Sequence, residues 1–239
     1  MEATKVQLVL LPGLLCDEEV WREQTSALAG IAECTVADYG MADSIGGMAE
    51  GVLASAPGRF AVAGHSMGGR VAFEIVRRAP ERVTRLALMD TRMQAKAAGE
   101  AGEKEAAGRY ELLEIARTRG MRAMGEKWVQ GMVHPSRLDD ARLIGAILDM
   151  FGRKTPDIYA AQIQALLNRP DASPVAPGIR VPTLVLCGRE DAWSQVLWHE
   201  EMARVIPNAR LEVIEKCGHM ATMERPAEVA RAMRAWLEG

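Results

Sequence analysis

The stretch Phe60-Ala-Val-Ala-Gly-His-Ser-Met-Gly-Gly-Arg-Val-Ala-Phe-Glu-Ile-Val-Arg-Arg78 decides how the rest of this chain is read. A short apolar run, Phe60 to Ala63, ends at Gly64. A helical pattern with Val71, Ile75 and Val76 on one face begins after Ser66. A serine at a sharp strand-to-helix turn sits in strained backbone with its hydroxyl held clear of the sheet, and the residues two before and two after it must be small. Gly64 and Gly68 meet that demand, and the following helix directs its partly positive N-terminus at the hydroxyl. The pattern G-x-S-x-G also arises by chance, and the bland alternative is a turn whose serine caps a helix. The strand before, the helix after and the third glycine, Gly69, weigh against it, so Ser66 is a candidate nucleophile.

Outward from this turn, short apolar runs alternate with longer amphipathic ones, the mark of βα units on a parallel sheet. Strands are predicted over 6–11, 34–39, 60–63, 83–89, 183–187 and 210–214. Each is nearly continuous in apolar residues, as strands covered on both faces are. Helices are predicted over 18–29, 44–56, 67–78 and 193–205, with a last one opening at Pro226 and placing Val229, Met233, Trp236 and Leu237 on one stripe. Between Arg92 and Pro182 the rhythm breaks. Helices are predicted there over 103–119, 121–132, 137–151 and 156–168. Ser136 with Asp139, and Thr155 before Pro156, act as start signals. A Pro-rich return linker runs over 169–178. The expected organisation is one α/β core, 1–91 with 183–239, and a helical cap with its linker, 92–182, inserted between the fourth and fifth strands.

The bulk composition bounds the function. At 239 residues the chain suits a single large core. Its 29 basic and 32 acidic residues form no basic arm or face, which argues against nucleic acid as a partner. The four cysteines, Cys16, Cys34, Cys187 and Cys217, have no metal-site spacing. They read as reduced thiols of a cytoplasmic protein, with no metal and no cofactor expected. The apolar run before Cys16 is interrupted by Pro12-Gly13 and is too short to span a bilayer, so no membrane association is expected.

Taken together, Leu11-Pro-Gly-Leu-Leu15, Gly64-His-Ser-Met-Gly-Gly69, Pro80-Glu-Arg-Val83, Gly188-Arg-Glu-Asp191 and Cys217-Gly-His-Met220 resemble the α/β-hydrolase superfamily over nearly the whole chain. The likeness is greatest to small capped bacterial esterases of the pimeloyl-carrier-protein methyl ester esterase and enol-lactone hydrolase kinds. It implies an α/β-hydrolase fold with a mostly or wholly parallel six-stranded sheet in the order second, first, third, fourth, fifth, sixth. Helices lie on both faces, and no β-hairpin precedes the first strand.

A serine hydroxyl needs an adjacent base. The superfamily's Ser–acid–His order places that base at His219, in the loop before the last helix. His65 lies inside the turn and packs behind it. His134 and His199 read as surface or pocket-wall residues. The acid falls at Asp191 in the Gly-Arg-Glu-Asp loop, with Asp90 at the end of the preceding strand as its rival. Glu190 and Glu215 read as solvated charges. Backbone N–H groups of Met67 and Leu14 would form the oxyanion hole, although the superfamily's frequent His-Gly is Pro12-Gly13 here.

The implied chemistry is Ser66–His219–Asp191 acyl transfer on a small carboxylic ester or lactone. Leu15, Cys16, Trp128, Met132 and Trp193 are candidates for the substrate pocket. No cationic cluster is visible in the sequence, so a largely neutral substrate is expected. The same triad also serves C–C bond hydrolases, thioesterases, perhydrolases and lyases, and some hormone-receptor-like binding modules keep it. The oligomeric state is left open.

Overall fold

The apolar run Val6–Leu11 forms β1, and the other five runs line up beside it in parallel: β2 (Ala32–Val36), β3 (Phe60–His65), β4 (Val83–Met89), β5 (Thr183–Gly188) and β6 (Ala209–Ile214). This is a computed structural model, and it describes residues 5–56 and 58–239. The strand order is β2-β1-β3-β4-β5-β6, all parallel, as the family resemblance implies. The start of the expected core, residues 1–4, lies outside the described residues, so the expectation of no leading hairpin there is not addressed. β3 and β5 are buried along their whole length, which requires cover on both faces of the sheet. The edge strands β2 and β6 are mostly half-buried or exposed, each with a single buried residue, Ala32 and Ile214.

The cover comes from helices α1 (Arg22–Leu28), α2 (Ile45–Ser55), α3 (Met67–Arg78), α8 (Val196–Val205) and α10 (Pro226–Glu238). α2 packs on α3, α1 packs on α10, and α8 packs on β5 and β6. Between β4 and β5 the chain leaves the sheet and forms α4 (Gly99–Arg119), α5 (Met121–Trp128), α6 (Ala141–Gly152) and α7 (Pro156–Leu167). A short turn of helix, α9 (Ala221–Glu224), precedes α10. No described helix is long and apolar enough to cross a membrane.

Several boundaries differ from the sequence expectation, each for a local reason. β2 runs only from Ala32 to Val36, the span of its ladder with β1 from Val6↔Ala32 to Leu10↔Val36; β1 continues one residue further, where Leu11 pairs only with Gly64 of β3. The helix expected over 18–29 opens as a 3₁₀ turn, Glu18–Trp21, after the Asp17 carboxylate accepts the Glu19 N–H. α5 likewise ends in a 3₁₀ turn, Val129–Gly131. The start signal at Ser136 fails: Pro135–Arg137 is a 3₁₀ turn, and Asp140 caps α6 by accepting from Leu143 N–H. α8 starts at Val196 because the Asp191 carboxylate takes the N–H groups of Trp193 and Ser194 and holds that segment out of the helix.

Candidate active site

The β3–α3 turn puts Ser66 at φ 53° and ψ −113°. For a residue with a Cβ this is strained backbone, typically about 1–3 kcal/mol, and it persists only where the surroundings over-determine it. They do so here. Ser66 N–H donates to the Met89 carbonyl at 2.8 Å, and the Ser66 carbonyl accepts from Gly69 N–H and Thr91 Oγ1. A Cβ on Gly64 would stand 2.3 Å from the Gly68 oxygen, and one on Gly68 would stand 2.0 Å from the Leu11 oxygen. The turn is closed on both sides by backbone, so glycine is required at both positions.

His219 arrives from the loop after β6. Its Nε2 lies 2.8 Å from Ser66 Oγ, and its Nδ1 lies 2.8 Å from Asp191 Oδ2. With Nδ1–H donating to the carboxylate, Nε2 is left as an acceptor facing the hydroxyl. The imidazole is fixed through its backbone as well: His219 N–H donates to the Met132 carbonyl, and its own carbonyl accepts from His65 Nε2–H. Asp191 Oδ1 takes the N–H groups of Trp193 and Ser194. Burial alone would raise the Asp191 pKa. The neighbouring His219 and these hydrogen bonds outweigh it and hold the carboxyl below its usual range.

Asp90, the rival acid, does not reach His219. It is fully buried, with its oxygens on Gly188 N–H and Ala221 N–H and Oδ2 3.6 Å from His65 Nε2. Burial first, then the charge of Asp191, pushes its pKa well up. It fastens the ends of β4 and β5 to the turn after His219. His65 is buried against the edge of Trp21, and burial lowers its pKa to about 4, so it is neutral at pH 7. His199 is neither surface nor pocket wall: it is fully buried, with Nε2 accepting from Thr91 N–H. Glu190 and Glu215 are both exposed, as expected; Glu190 Oε2 accepts from Cys217 N–H and Glu215 pairs with Arg189.

A cavity of about 670 Å³ opens over Ser66 and His219. Leu14, Cys16, Met67, Trp128, Met132 and Trp193 line it. Leu15 does not. Leu15 adopts φ 61°, which turns its side chain wholly into the core while its neighbours face the cavity, and its N–H donates to Gln162 Oε1 of α7 at 2.8 Å. A Cβ on Gly13 would lie 3.3 Å from Ser66 Cβ, so this loop sits directly against the serine. Among the described residues, neither Leu14 N–H nor Met67 N–H is engaged by a loop or side-chain acceptor. Trp128 stacks on Trp193 with centroids 5.5 Å apart, and Trp193 in turn lies 4.9 Å from the His219 ring. Burial pushes the Cys16 thiol up to about 12, which makes it inert as a nucleophile at neutral pH.

Three features escape the sequence reading. Glu224, buried in α9, accepts from the N–H groups of Gly218 and Met220 with Oε1 and from His134 with Oε2, so one carboxylate ties the His219 loop to the helical insertion. Gln162 ties the insertion to the Leu14–Cys16 loop. The cavity is also not neutral: Arg70, Arg92, Lys104, Arg109 and Arg169 line it. These cations are scattered in sequence and meet only in the fold. Arg70 alone carried a local signal, lying one helical turn after Ser66.

A strained serine, an imidazole and a carboxylate gathered where β3, β5 and β6 of a parallel sheet end is the arrangement of an α/β-hydrolase. The sequence profile of the Alpha/beta hydrolase family matches residues 8–232, and the chain belongs to that family. It is 26% identical over 195 residues to the pimeloyl-(acyl-carrier protein) methyl ester esterase of Nitrosomonas europaea, a match covering 78% of this chain and 74% of that protein. A 53-residue stretch is 40% identical to the monoacylglycerol lipase ABHD6 of Mus musculus; it covers 22% of this chain, and the chain spans only 16% of that lipase's length. Among solved structures, a thermophilic esterase from Thermogutta terrifontis superposes with a TM-score of 0.87 at 28% identity, over 99% of this chain and 90% of that one.

Proposed function

We propose that this protein is a serine esterase that cleaves a small carboxylic ester or lactone through an acyl-enzyme. The observation that carries the proposal is the unbroken line of contacts from Ser66 Oγ through His219 to Asp191, 2.8 Å at each step, beneath a cavity of about 670 Å³. As Oγ attacks the carbonyl carbon, its proton passes to His219 Nε2, and Asp191 stabilises the imidazolium and fixes its tautomer. The carbonyl oxygen, now negative, is met by the N–H groups of Leu14 and Met67; one such donor is worth about a hundredfold or more in rate. The C–O bond to the alcohol breaks and the alcohol leaves with the proton. A water activated by His219 then releases the acid.

Residues 92–182 serve as a cap over the reacting atoms, with 1–91 and 183–239 as the core. The stacked Trp128 and Trp193 supply the apolar wall. Four unpaired cysteines favour a reducing compartment, and we place the protein in the cytoplasm.

The test is a fluorophosphonate probe with a p-nitrophenyl ester chain-length series. Labelling that is lost in Ser66→Ala, with steady turnover of the esters, is the expected result. One equivalent of product without turnover would indicate a binding module instead, and turnover confined to a dicarbonyl substrate would indicate C–C hydrolysis.

A further inference from the structure

The cations on the cavity wall are under-neutralised. Glu105 is shared by three guanidinia: Arg169 at 2.6 and 2.8 Å, Arg109 at 3.0 Å and Arg92 at 3.8 Å. Against its burial, Arg169 and then Arg109 hold its carboxyl down to about 2, so it is fully charged and fully engaged. Among the described residues, no carboxylate lies within ion-pair distance of Arg70 or Lys104. Asp90, the other acid lining the cavity, has its oxygens on Gly188 and Ala221 N–H.

Two polar groups on the same wall are buried without a partner. Arg169, 3% exposed, has no acceptor for Nε, and the buried Tyr159 hydroxyl has none either. Arg70 makes one hydrogen bond, from Nη1 to the Gln94 carbonyl, out of the five a guanidinium can donate. Burial first, then the nearby guanidinia of Arg169 and Arg92, presses its pKa down, a penalty that a bound anion would relieve. Ser66 is the N-cap of α3 and Arg70 lies in its first turn, and both line the same cavity of about 670 Å³. A carboxylate in the Arg70 fork and an ester carbonyl at Ser66 Oγ can therefore belong to one short ligand.

We propose that the substrate is the half-ester of a short dicarboxylic acid. Its free carboxylate is held by Arg70, with Arg92, Lys104 and Arg109 around it, while Ser66 attacks the ester carbonyl. This rests on the esterase reading and replaces the neutral substrate expected from the sequence. The reaction consumes one water: the acyl C–O bond to the alcohol breaks, the acyl–Oγ bond forms and is hydrolysed, and the products are the alcohol, the dicarboxylate and one proton.

The proton makes the test direct. Hydrolysis of monomethyl glutarate and of dimethyl glutarate, the same chain with its charge masked, is followed by pH-stat titration, with fluorophosphonate labelling of Ser66 as the control. The half-ester is expected to be favoured at least tenfold in kcat/KM. That ratio should collapse in Arg70→Met, recover in part in Arg70→Lys, and shrink with added salt. In a second arm free of turnover, Ser66→Ala is titrated with glutarate, glutaramide or inorganic phosphate, and Tm is expected to rise with glutarate alone.

Equal use of both esters by a labelled, active enzyme would overturn the carboxylate assignment and leave the esterase intact. Absence of labelling would instead sink the esterase reading. A larger Tm rise with phosphate than with glutarate would overturn the choice of carboxylate. If Arg70→Met does not fold, the ester ratio in the unsubstituted protein and the Ser66→Ala titration still decide.

Discussion

At the scale of single residues, the decisive arrangement is the division of labour within the Asp191 carboxylate. Oδ1 is taken by two backbone N–H groups, which fix the side chain, and Oδ2 alone faces His219 Nδ1. Asparagine in place of Asp191 would keep Oδ1 on its two donors and present an NH₂ group to Nδ1. The imidazole would then carry its proton on Nε2, pointing at Ser66 Oγ, and could no longer accept from it. Asp191→Asn is therefore expected to lose about 10⁴ in kcat, as this tautomer error does in serine proteases, with little change in Tm. Ester turnover and a thermal melt on the same preparation check it; a loss below about tenfold would mean another acid orients His219. The same residue was legible in the sequence only through its loop motif. Asp90 stands at a comparable place at the end of its strand, and what separates the two is which histidine each one faces.

At the scale of elements, the β3–α3 turn and the 13–16 loop are held by opposite means. The turn is held by the absence of side chains. Gly68→Ala would drive a Cβ to 2.0 Å from the Leu11 oxygen and 2.8 Å from the Pro12 oxygen, backbone atoms that cannot rotate away. We expect a loss of about 3 kcal/mol or more, or no folded protein. Gly51→Ala in α2, where an added Cβ meets nothing within 4 Å, is the matched control and should gain about 0.5–1 kcal/mol. Urea midpoints of the two should move in opposite directions. The loop is held by one hydrogen bond from another element. Gln162→Leu leaves the Leu15 N–H buried and unpaired, at roughly 1–3 kcal/mol. The neighbouring Leu14 N–H should lose its alignment, so kcat is expected to fall more than KM rises; an unchanged kcat would detach Gln162 from the chemistry. The turn was readable because its glycines and serine fall within the six residues 64–69. Gln162, Glu224 and the cavity cations other than Arg70 were not, because they are brought together only by the fold and none carries a local pattern that distinguishes it from a solvated side chain.

At the scale of the whole molecule, the strands followed from the alternation of apolar runs and their order from the resemblance to the α/β-hydrolase superfamily, whereas the balance of buried charge depends on the assembled fold. That balance predicts how stability varies with pH. His199 Nε2 accepts from Thr91 N–H, and Nδ1 donates to the Gln195 carbonyl, so the fold fixes a neutral tautomer. Protonation would set Nε2–H against Thr91 N–H. Burial lowers the His199 pKa from 6.5 to about 4, and His65 is shifted alike. Between these limits the unfolded chain binds a proton that the folded one refuses, so stability falls as pH drops from about 6.5 towards 4, and no further below. Asp90 and Glu224 act with the opposite sign, since burial raises their pKa values and the folded state takes those protons first. The pH curve of the unsubstituted protein is thus a difference of opposed contributions, and a variant is needed to isolate one. Glutamine at 199 can accept from Thr91 N–H without titrating. Relative to the unsubstituted protein, His199→Gln should therefore gain about 2 kcal/mol between pH 7.5 and pH 5. Urea unfolding of both proteins at the two pH values measures that shift, and a stability gap that stays constant would show that His199 is protonated as readily in the folded protein as in the unfolded chain.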